Sequence, residues 1–236
     1  MPVIIMKNEE EVLKKLQNLI EEISNEAITS RGKFTIGFSG GSLGKYLCQT
    51  LPNITTTWSK WAIFFCDERY VEESDIESTF GFYKKHLIPL VPLTEQQFRS
   101  INVNDPVEKV ADDYEASIKA EFGKSSEIPS FDLLLLGIGP DGHTASLFPN
   151  HPLLKMTNRL VTHIIDSPKP PPKRITMTYP LINNARNSIF TVPGKGKAEI
   201  LKKIFEDKED LPAARVRSNN VYWLFDNDSA PSVTEI

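Results

Sequence analysis

The sequence predicts a single α/β domain in which a mostly parallel β-sheet is covered by helices on both faces. Short apolar runs such as Phe34–Phe38, Trp61–Cys66 and Phe131–Leu136 are typical of strands buried on both sides of a sheet. Segments with apolar residues at helical spacing lie between these runs, and this alternation indicates a parallel sheet. No low-complexity linker divides the chain, so we expect one catalytic domain over residues 1–236.

The first helix is predicted to begin after Asn8. Asn8 followed by Glu11 resembles a helix-capping pair, with Asn in place of the usual Ser or Thr. Apolar side chains then recur at helical spacing and predict a face that packs on the sheet, namely Val12, Leu16, Leu19, Ile20 and Ile23.

Prolines and glycines set the bounds of the later elements. Further helices are predicted over Leu43–Leu51, over Ser78–Leu87, from Asp105-Pro106 to Gly123, and from Gly194 through Phe205. Further strands are predicted at Leu160–Ile165, Ser188–Val192 and Val221–Phe225. The segment Pro168–Pro172 holds four prolines and predicts a stiff loop.

Composition excludes several classes of partner. The 236 residues include 27 Lys and Arg against 31 Asp and Glu, a net charge of −4 that argues against nucleic acid or an anionic membrane. A bound anion must therefore be held by a local cluster of donors. The apolar runs are too short to span a membrane. Cys48 and Cys66 both lie among apolar residues and are predicted to be buried free thiols. Because free thiols are typical of a reducing compartment, we expect a cytoplasmic protein.

Glycine-rich turns follow the predicted strands. Ser39-Gly40-Gly41-Ser42 separates a strand from a helix, but it has neither of the common nucleotide-binding spacings. Its glycines allow close backbone approach, and the free N–H groups of the next helix point toward any anion. A phosphate loop and an ordinary tight turn are both open interpretations.

The segment Gly137–His143 has the sharpest chemical signal. Three glycines in six residues follow the most apolar strand, and Asp141 and His143 stand two residues apart. Histidine suits proton transfer near neutral pH, and a neighbouring carboxylate orients its ring. No metal-ligand spacing accompanies this histidine, so no metal is expected.

Charged residues at other predicted strand and helix ends are weaker signals. A charged segment, Cys66-Asp67-Glu68-Arg69, follows a buried strand, and taken alone it predicts a solvated turn. Lysines at a helix N-terminus oppose the macrodipole unless an anion is bound there, so Lys195 and Lys197 hint at a phosphate site. Arg174 follows the proline-rich loop.

These segments, in this order, resemble the 6-phosphogluconolactonases of the eukaryotic cytosolic type. The most specific match is Gly137–Pro149, read GIGPDGHTASLFP; the supporting matches are Ser39–Ser42, Asp67–Arg69, Ser78–Gly81, Ser167–Pro172 with Arg174, and Gly194–Ala198. The resemblance implies a Rossmann-like domain that is a monomer and hydrolyses a small sugar-phosphate lactone without a cofactor.

The resemblance also implies roles for single residues. His143 would be the general base that activates water, with Arg69 near the carboxyl end of the substrate and Asp67 and Asp141 lining the same pocket. The phosphate-holding positions would be Gly40, Gly41, Ser42, Arg174 and Lys197. The chain departs from the family pattern at Glu72 and at Lys195, where proline and an acidic residue are common.

Two rival functions remain to be weighed. Glucosamine-6-phosphate deaminases share the fold and the GxGxDGH segment, but a Glu that partners their histidine is replaced here by Phe148. A phenyl ring cannot orient an imidazole by hydrogen bonding, so the lactonase interpretation is preferred. A catalytically inactive sugar-phosphate-binding protein is disfavoured by the joint presence of His143, Asp141 and Arg69.

Overall fold

The computed structural model describes residues 2–123 and 127–232. The strands are β1 Val3–Met6, β2 Phe34–Phe38, β3 Trp61–Phe65, β4 Asp67–Arg69, β5 Leu133–Leu136, β6 Val161–Ile164, β7 Arg174–Met177, β8 Asn187–Thr191 and β9 Asn220–Asp226. The α-helices are α1 Glu9–Arg31, α2 Ser42–Thr50, α3 Thr79–His86, α4 Val107–Phe122, α5 Tyr179–Asn183 and α6 Ala198–Phe205.

Six strands form a parallel sheet in the order β1-β9-β8-β5-β2-β3. Helices α1, α2 and α3 contribute to one apolar layer and helices α4 and α6 to the other. Strands β2, β3 and β5 are buried along their whole length because both faces are covered. The predicted fold class, an α/β protein with a mostly parallel sheet between helical layers, is confirmed.

Local signals placed several helix ends. The Asn8 side chain accepts a hydrogen bond from the N–H of Glu11 at 3.0 Å, and Gly123, with φ of 84°, ends α4. Ser78 caps α3 by accepting from the N–H of Gly81 at 3.0 Å. Helix α4 starts one residue later than Asp105-Pro106 predicts, since Pro106 has extended backbone and occupies the cap position itself.

A second sheet, antiparallel and of three strands, was not predicted. Its order is β4-β7-β6, with Asp67 opposite Thr176 and Val161 opposite Met177. The expectation that Leu160–Ile165 belongs to the parallel sheet is therefore wrong, and Asp67–Arg69 is a strand and not a solvated turn. This small sheet carries Asp67, Arg69 and Arg174 to the carboxyl edge of the large sheet.

One strand was missed and one smaller expectation needs correction. The segment Val3–Met6 is an edge strand that pairs with β9, and the sequence did not predict it. Cys66 is buried as expected, but Cys48 on α2 is only partly buried. No helix among residues 2–123 and 127–232 combines the length and apolar character needed to cross a membrane.

Candidate active site

A pocket of about 200 Å³ opens at the carboxyl edge of the large sheet. Strands β2, β3 and β5 end beside it, because parallel strands deliver the loops that follow them to one edge. Eight of the nine predicted site residues line it: Gly40, Gly41, Ser42, Asp67, Arg69, His143, Arg174 and Lys197. The ninth, Asp141, lies behind His143 and contacts it directly.

The His143 ring is fixed by its own loop. Nδ1 of His143 lies 2.5 Å from Oδ1 of Asp141. The ring packs against Gly139 so closely that a Cβ at Gly139 would collide with it. The backbone closes the turn, with the N–H of Gly139 donating to the carbonyl of His143 at 2.9 Å. Because Nδ1 faces the carboxylate, Nε2 is the nitrogen left to meet a substrate or water.

Burial sets the protonation of this histidine. The His143 side chain is 17% exposed, and its ring lies 4.7 Å from that of Phe148, centroid to centroid. Burial lowers the pKa of His143, while the hydrogen bond and charge of Asp141 oppose that shift. The imidazole is therefore mainly neutral at pH 7, which is the form that accepts a proton.

Asp67 and Arg69 enter the pocket from β4. Asp67 is buried, and its Oδ2 accepts a hydrogen bond from Oγ of Ser146 at 2.7 Å. Nη1 of Arg69 donates to the carbonyl of Glu77 at 2.8 Å and lies 3.3 Å from its carboxylate. The alternation along a strand sends Asp67 and Arg69 to the same side, toward the pocket.

The residue between them, Glu68, points the other way and is buried. Its carboxylate accepts backbone N–H groups from Arg69, Thr79 and Phe80 at 2.7–2.9 Å. Burial raises the pKa of Glu68 to about 7, although the three N–H groups stabilise its charge. Glu68 thus ties β4 to the start of α3 and holds Arg69 in place.

Arg174 is buried and has a double role. Nε and Nη2 donate to the carbonyls of Pro171, Lys169 and Pro170 at 2.9–3.0 Å, which fixes the proline-rich loop. Nη1 lies 4.0 Å from Oδ2 of Asp67. Burial lowers the pKa of Arg174, yet a guanidinium keeps its charge at neutral pH.

Lys197 and the Gly40–Ser42 turn also line the pocket. Nζ of Lys197 donates to the carbonyl of Ile138 at 2.7 Å, and burial lowers the pKa of the amine. Gly41 has φ of 72°, a left-handed conformation that glycine adopts without strain, and it precedes the first residue of α2. Lys195 is exposed and does not line the pocket.

Three residues near the pocket were missed from the sequence. Lys169 contacts Asp141, Glu68 supports Arg69, and Ser146 binds Asp67. All three lie within segments quoted for the family resemblance. Their partners were not predictable, because Lys169 and Ser146 bind side chains that are remote in sequence and Glu68 binds backbone N–H groups. Among the described residues, no group of three or more His, Cys, Asp or Glu side chains could hold a metal ion.

Comparison with known proteins decides the family. The model of the family described as glucosamine-6-phosphate isomerases/6-phosphogluconolactonase matches residues 7–223. The chain belongs to this family. It is 45% identical to the human 6-phosphogluconolactonase over 214 residues, which covers 87% of this chain and 83% of the human one. It is 46% identical to a probable 6-phosphogluconolactonase of Drosophila melanogaster over 91% of this chain and 87% of that one.

Solved structures agree with the family assignment. The 6-phosphogluconolactonase of Trypanosoma cruzi superposes with a TM-score of 0.82 at 26% identity, covering 99% of this chain and 97% of that one. That of Thermotoga maritima gives 0.80 at 25% identity over 95% and 99%. The family predicted from the sequence is confirmed, and so is the prediction of an enzyme of the 6-phosphogluconolactonase type.

Proposed function

We propose that this chain hydrolyses 6-phospho-D-glucono-1,5-lactone to 6-phospho-D-gluconate, the second step of the oxidative pentose phosphate pathway. The observation that carries the proposal is a largely buried histidine, in contact with a carboxylate, that lines one pocket together with Arg69, Arg174 and Lys197. A proton acceptor and cations in the same pocket suit an ester that carries a phosphate.

His143 acts as the general base in this proposal. Asp141 accepts a hydrogen bond from the Nδ1–H of His143, so the lone pair of Nε2 faces a water molecule. The water adds to the lactone carbonyl as its proton passes to Nε2. The ring C–O bond then breaks, and the imidazolium returns the proton to the leaving ring oxygen. Such a base typically contributes ~10²–10⁴ in rate.

Arg69 stabilises the oxyanion that forms when water adds to the carbonyl. Its guanidinium lines the pocket, and Glu68 fixes its strand from behind. A preorganised donor at that position is typically worth ~10²–10³ in rate.

The substrate phosphate is held by Gly40, Gly41, Ser42, Arg174 and Lys197. The phosphate carries about −1.5 to −2 charges at neutral pH, and Arg174 and Lys197 are already desolvated. The N-terminal N–H groups of α2 add donors on the same wall. Anchoring this remote end keeps the carbonyl near His143 and so lowers the entropic part of the barrier.

The test is a pH-stat or coupled assay on freshly generated lactone, with a blank for spontaneous hydrolysis. Wild type should hydrolyse the lactone, and His143→Ala should lose ~10²–10⁴ in kcat while it still binds 6-phosphogluconate. Lactone hydrolysis by His143→Ala at the wild-type rate would remove the base assignment. Release of ammonia from glucosamine 6-phosphate without lactone turnover would instead favour the deaminase branch of the family.

A further inference from the structure

Lys169 contacts the carboxylate partner of His143 and does not itself line the pocket. Its Nζ donates to Oδ1 of Asp141 at 3.2 Å. This is the same oxygen that faces Nδ1 of His143 at 2.5 Å. The three side chains therefore form a chain in which the carboxylate oxygen is shared between an ammonium and an imidazole.

The backbone of Lys169 is held on both sides. Its carbonyl accepts hydrogen bonds from Nη2 of Arg174 at 2.9 Å and from Oγ of Ser167 at 2.8 Å, and its N–H donates to Oγ of Ser167 at 3.2 Å. The N–H of Ser167 also donates to the carbonyl of Pro172 at 3.1 Å, which closes the loop. These hydrogen bonds fix the backbone of Lys169, from which the side chain extends to Asp141.

The charges around His143 oppose one another. Asp141 on its own loop and Asp67 on β4 favour the protonated imidazole, whereas Lys169 on the proline-rich loop disfavours it. Lys197, Arg174 and Arg69 are the other charged groups that line the pocket with His143. Lys169 is the cation that contacts Asp141, the strongest favouring group.

We propose that Lys169 is a positioning residue for the His143 base: it holds the Asp141 carboxylate against the imidazole and offsets its negative charge, so that the ring is oriented without being kept protonated. The role deepens the proposed hydrolysis and rests on it. A carboxylate alone both orients a histidine and makes it more basic. Lys169 separates these two effects, which matters for a base that must start each cycle neutral.

The first experiment is an NMR titration of His143 in the free protein, which needs no activity. Lys169→Met removes the charge and should raise the pKa of His143 by roughly half a unit, since Lys169 is only partly buried. Lys169→Arg keeps a cation and should leave the titration near that of wild type. Lys173→Met is the matched control, because Lys173 lies in the same loop but over the ring of Tyr70.

The second experiment is the pH profile of kcat/KM for the lactone. The acid limb should move upward in Lys169→Met by the same amount as the NMR titration and stay in place in the Lys169→Arg and Lys173→Met variants. A Lys169→Met protein whose activity falls equally at every pH, with an unmoved His143 titration, overturns the proposal. If wild type itself hydrolyses no lactone, the proposed function fails, while the NMR comparison still decides whether Lys169 acts on His143.

Discussion

The two edges of the parallel sheet carry polar pockets of similar size but different charge balance. The pocket at the carboxyl edge has a volume of about 200 Å³, and one at the amino edge has about 220 Å³. Both contain basic side chains beside a buried aspartate. At the amino edge each basic side chain of the lining is paired with a carboxylate, in the pairs Arg31–Glu26, Arg31–Asp132, Arg186–Asp132, Lys33–Glu121 and Lys119–Glu115.

At the carboxyl edge the cations are held mainly by carbonyl groups. Arg174 donates to three carbonyls of the proline-rich loop, and Lys197 donates to that of Ile138. A carbonyl satisfies a donor without cancelling its charge, so these cations retain attraction for an anion. The two pockets therefore differ in the groups that hold their cations, which are mainly carbonyls at the carboxyl edge and carboxylates at the amino edge.

Of the changes that compare the two edges, the largest effect is expected from a methyl group added at the carboxyl edge. Gly139→Ala places a Cβ where the His143 ring and the Asp141 carboxylate lie, so the base must move. We expect kcat to fall by about 10²-fold, since a displacement of about 1 Å costs that much. At the amino edge, Gly123→Ala meets no atom within 4 Å but has φ of 84°, so it should cost about 1 kcal/mol of unfolding free energy and leave kcat unchanged.

Lactone kinetics and urea denaturation of both glycine variants measure these effects. A Gly139→Ala enzyme that keeps the wild-type kcat would mean that the ring position in the structure is not the one used in hydrolysis.

The second prediction concerns the buried carboxylate Glu68. Its folded-state pKa of about 7 lies above the ordinary value of 4.5, so the folded protein binds the extra proton between these values. The stability that this proton contributes is full below pH 4.5 and is lost as pH rises through 7, by roughly 3 kcal/mol at most. Urea denaturation from pH 4.5 to 8 should show this decline in wild type relative to Glu68→Gln.

The amino-edge carboxylate supplies the contrast to Glu68. Asp132 is held by Arg31 and by the N–H and Oγ of Thr35, at 2.8–2.9 Å. Asp132→Asn should therefore lower the unfolding free energy by about 2 kcal/mol without altering kcat.

The urea experiment can also contradict the assignment of Glu68. If the unfolding free energies of Glu68→Gln and wild type change in parallel from pH 4.5 to 8, Glu68 is not the titrating group.

These side chains also show what the sequence could and could not predict. The Ser39–Ser42 and Gly137–His143 turns follow apolar strands, and the parallel topology alone brings such turns to one edge. That rule, together with the family motifs, predicted that His143 and Asp141 lie near the Gly40–Ser42 turn. The rule needs only local patterns, because strand ends and glycine turns are encoded within a few residues.

The small sheet and its supporting contacts were not predictable in the same way. Strand β4 is three charged residues long, with no apolar alternation, and its partner β7 lies more than a hundred residues later. Lys169 contacts Asp141 from the proline-rich loop, whose backbone carbonyls accept hydrogen bonds from Arg174. Contacts of this kind depend on tertiary packing, which no local pattern reports.

The third prediction tests the two kinds of cation directly. Lys197→Met removes a carbonyl-held charge and should raise KM for the phosphorylated lactone about tenfold, the value of one charged hydrogen bond. Arg186→Met removes a carboxylate-paired charge at the amino edge and should leave KM unchanged. Steady-state kinetics on both variants, with an unphosphorylated lactone as control substrate, measure the difference. Equal KM values for the two variants would mean that Lys197 does not bind the substrate phosphate.

The smallest effect should come from Glu77, an exposed carboxylate that pairs with the pocket cation Arg69. Oε2 of Glu77 lies 3.3 Å from Nη1 of Arg69, and the Glu77 side chain is 51% exposed. Glu77→Gln leaves the carbonyl contact to Arg69 in place and removes a negative charge beside the pocket. We expect KM for the phosphorylated lactone to fall about twofold at low salt, in keeping with the weakness of exposed ion pairs, and this gain to vanish near 0.5 M salt because screening removes it. A decrease in KM that persists at high salt would instead mean that Glu77 restrains Arg69 sterically, and the charge-balance account of the carboxyl edge would not extend to that residue.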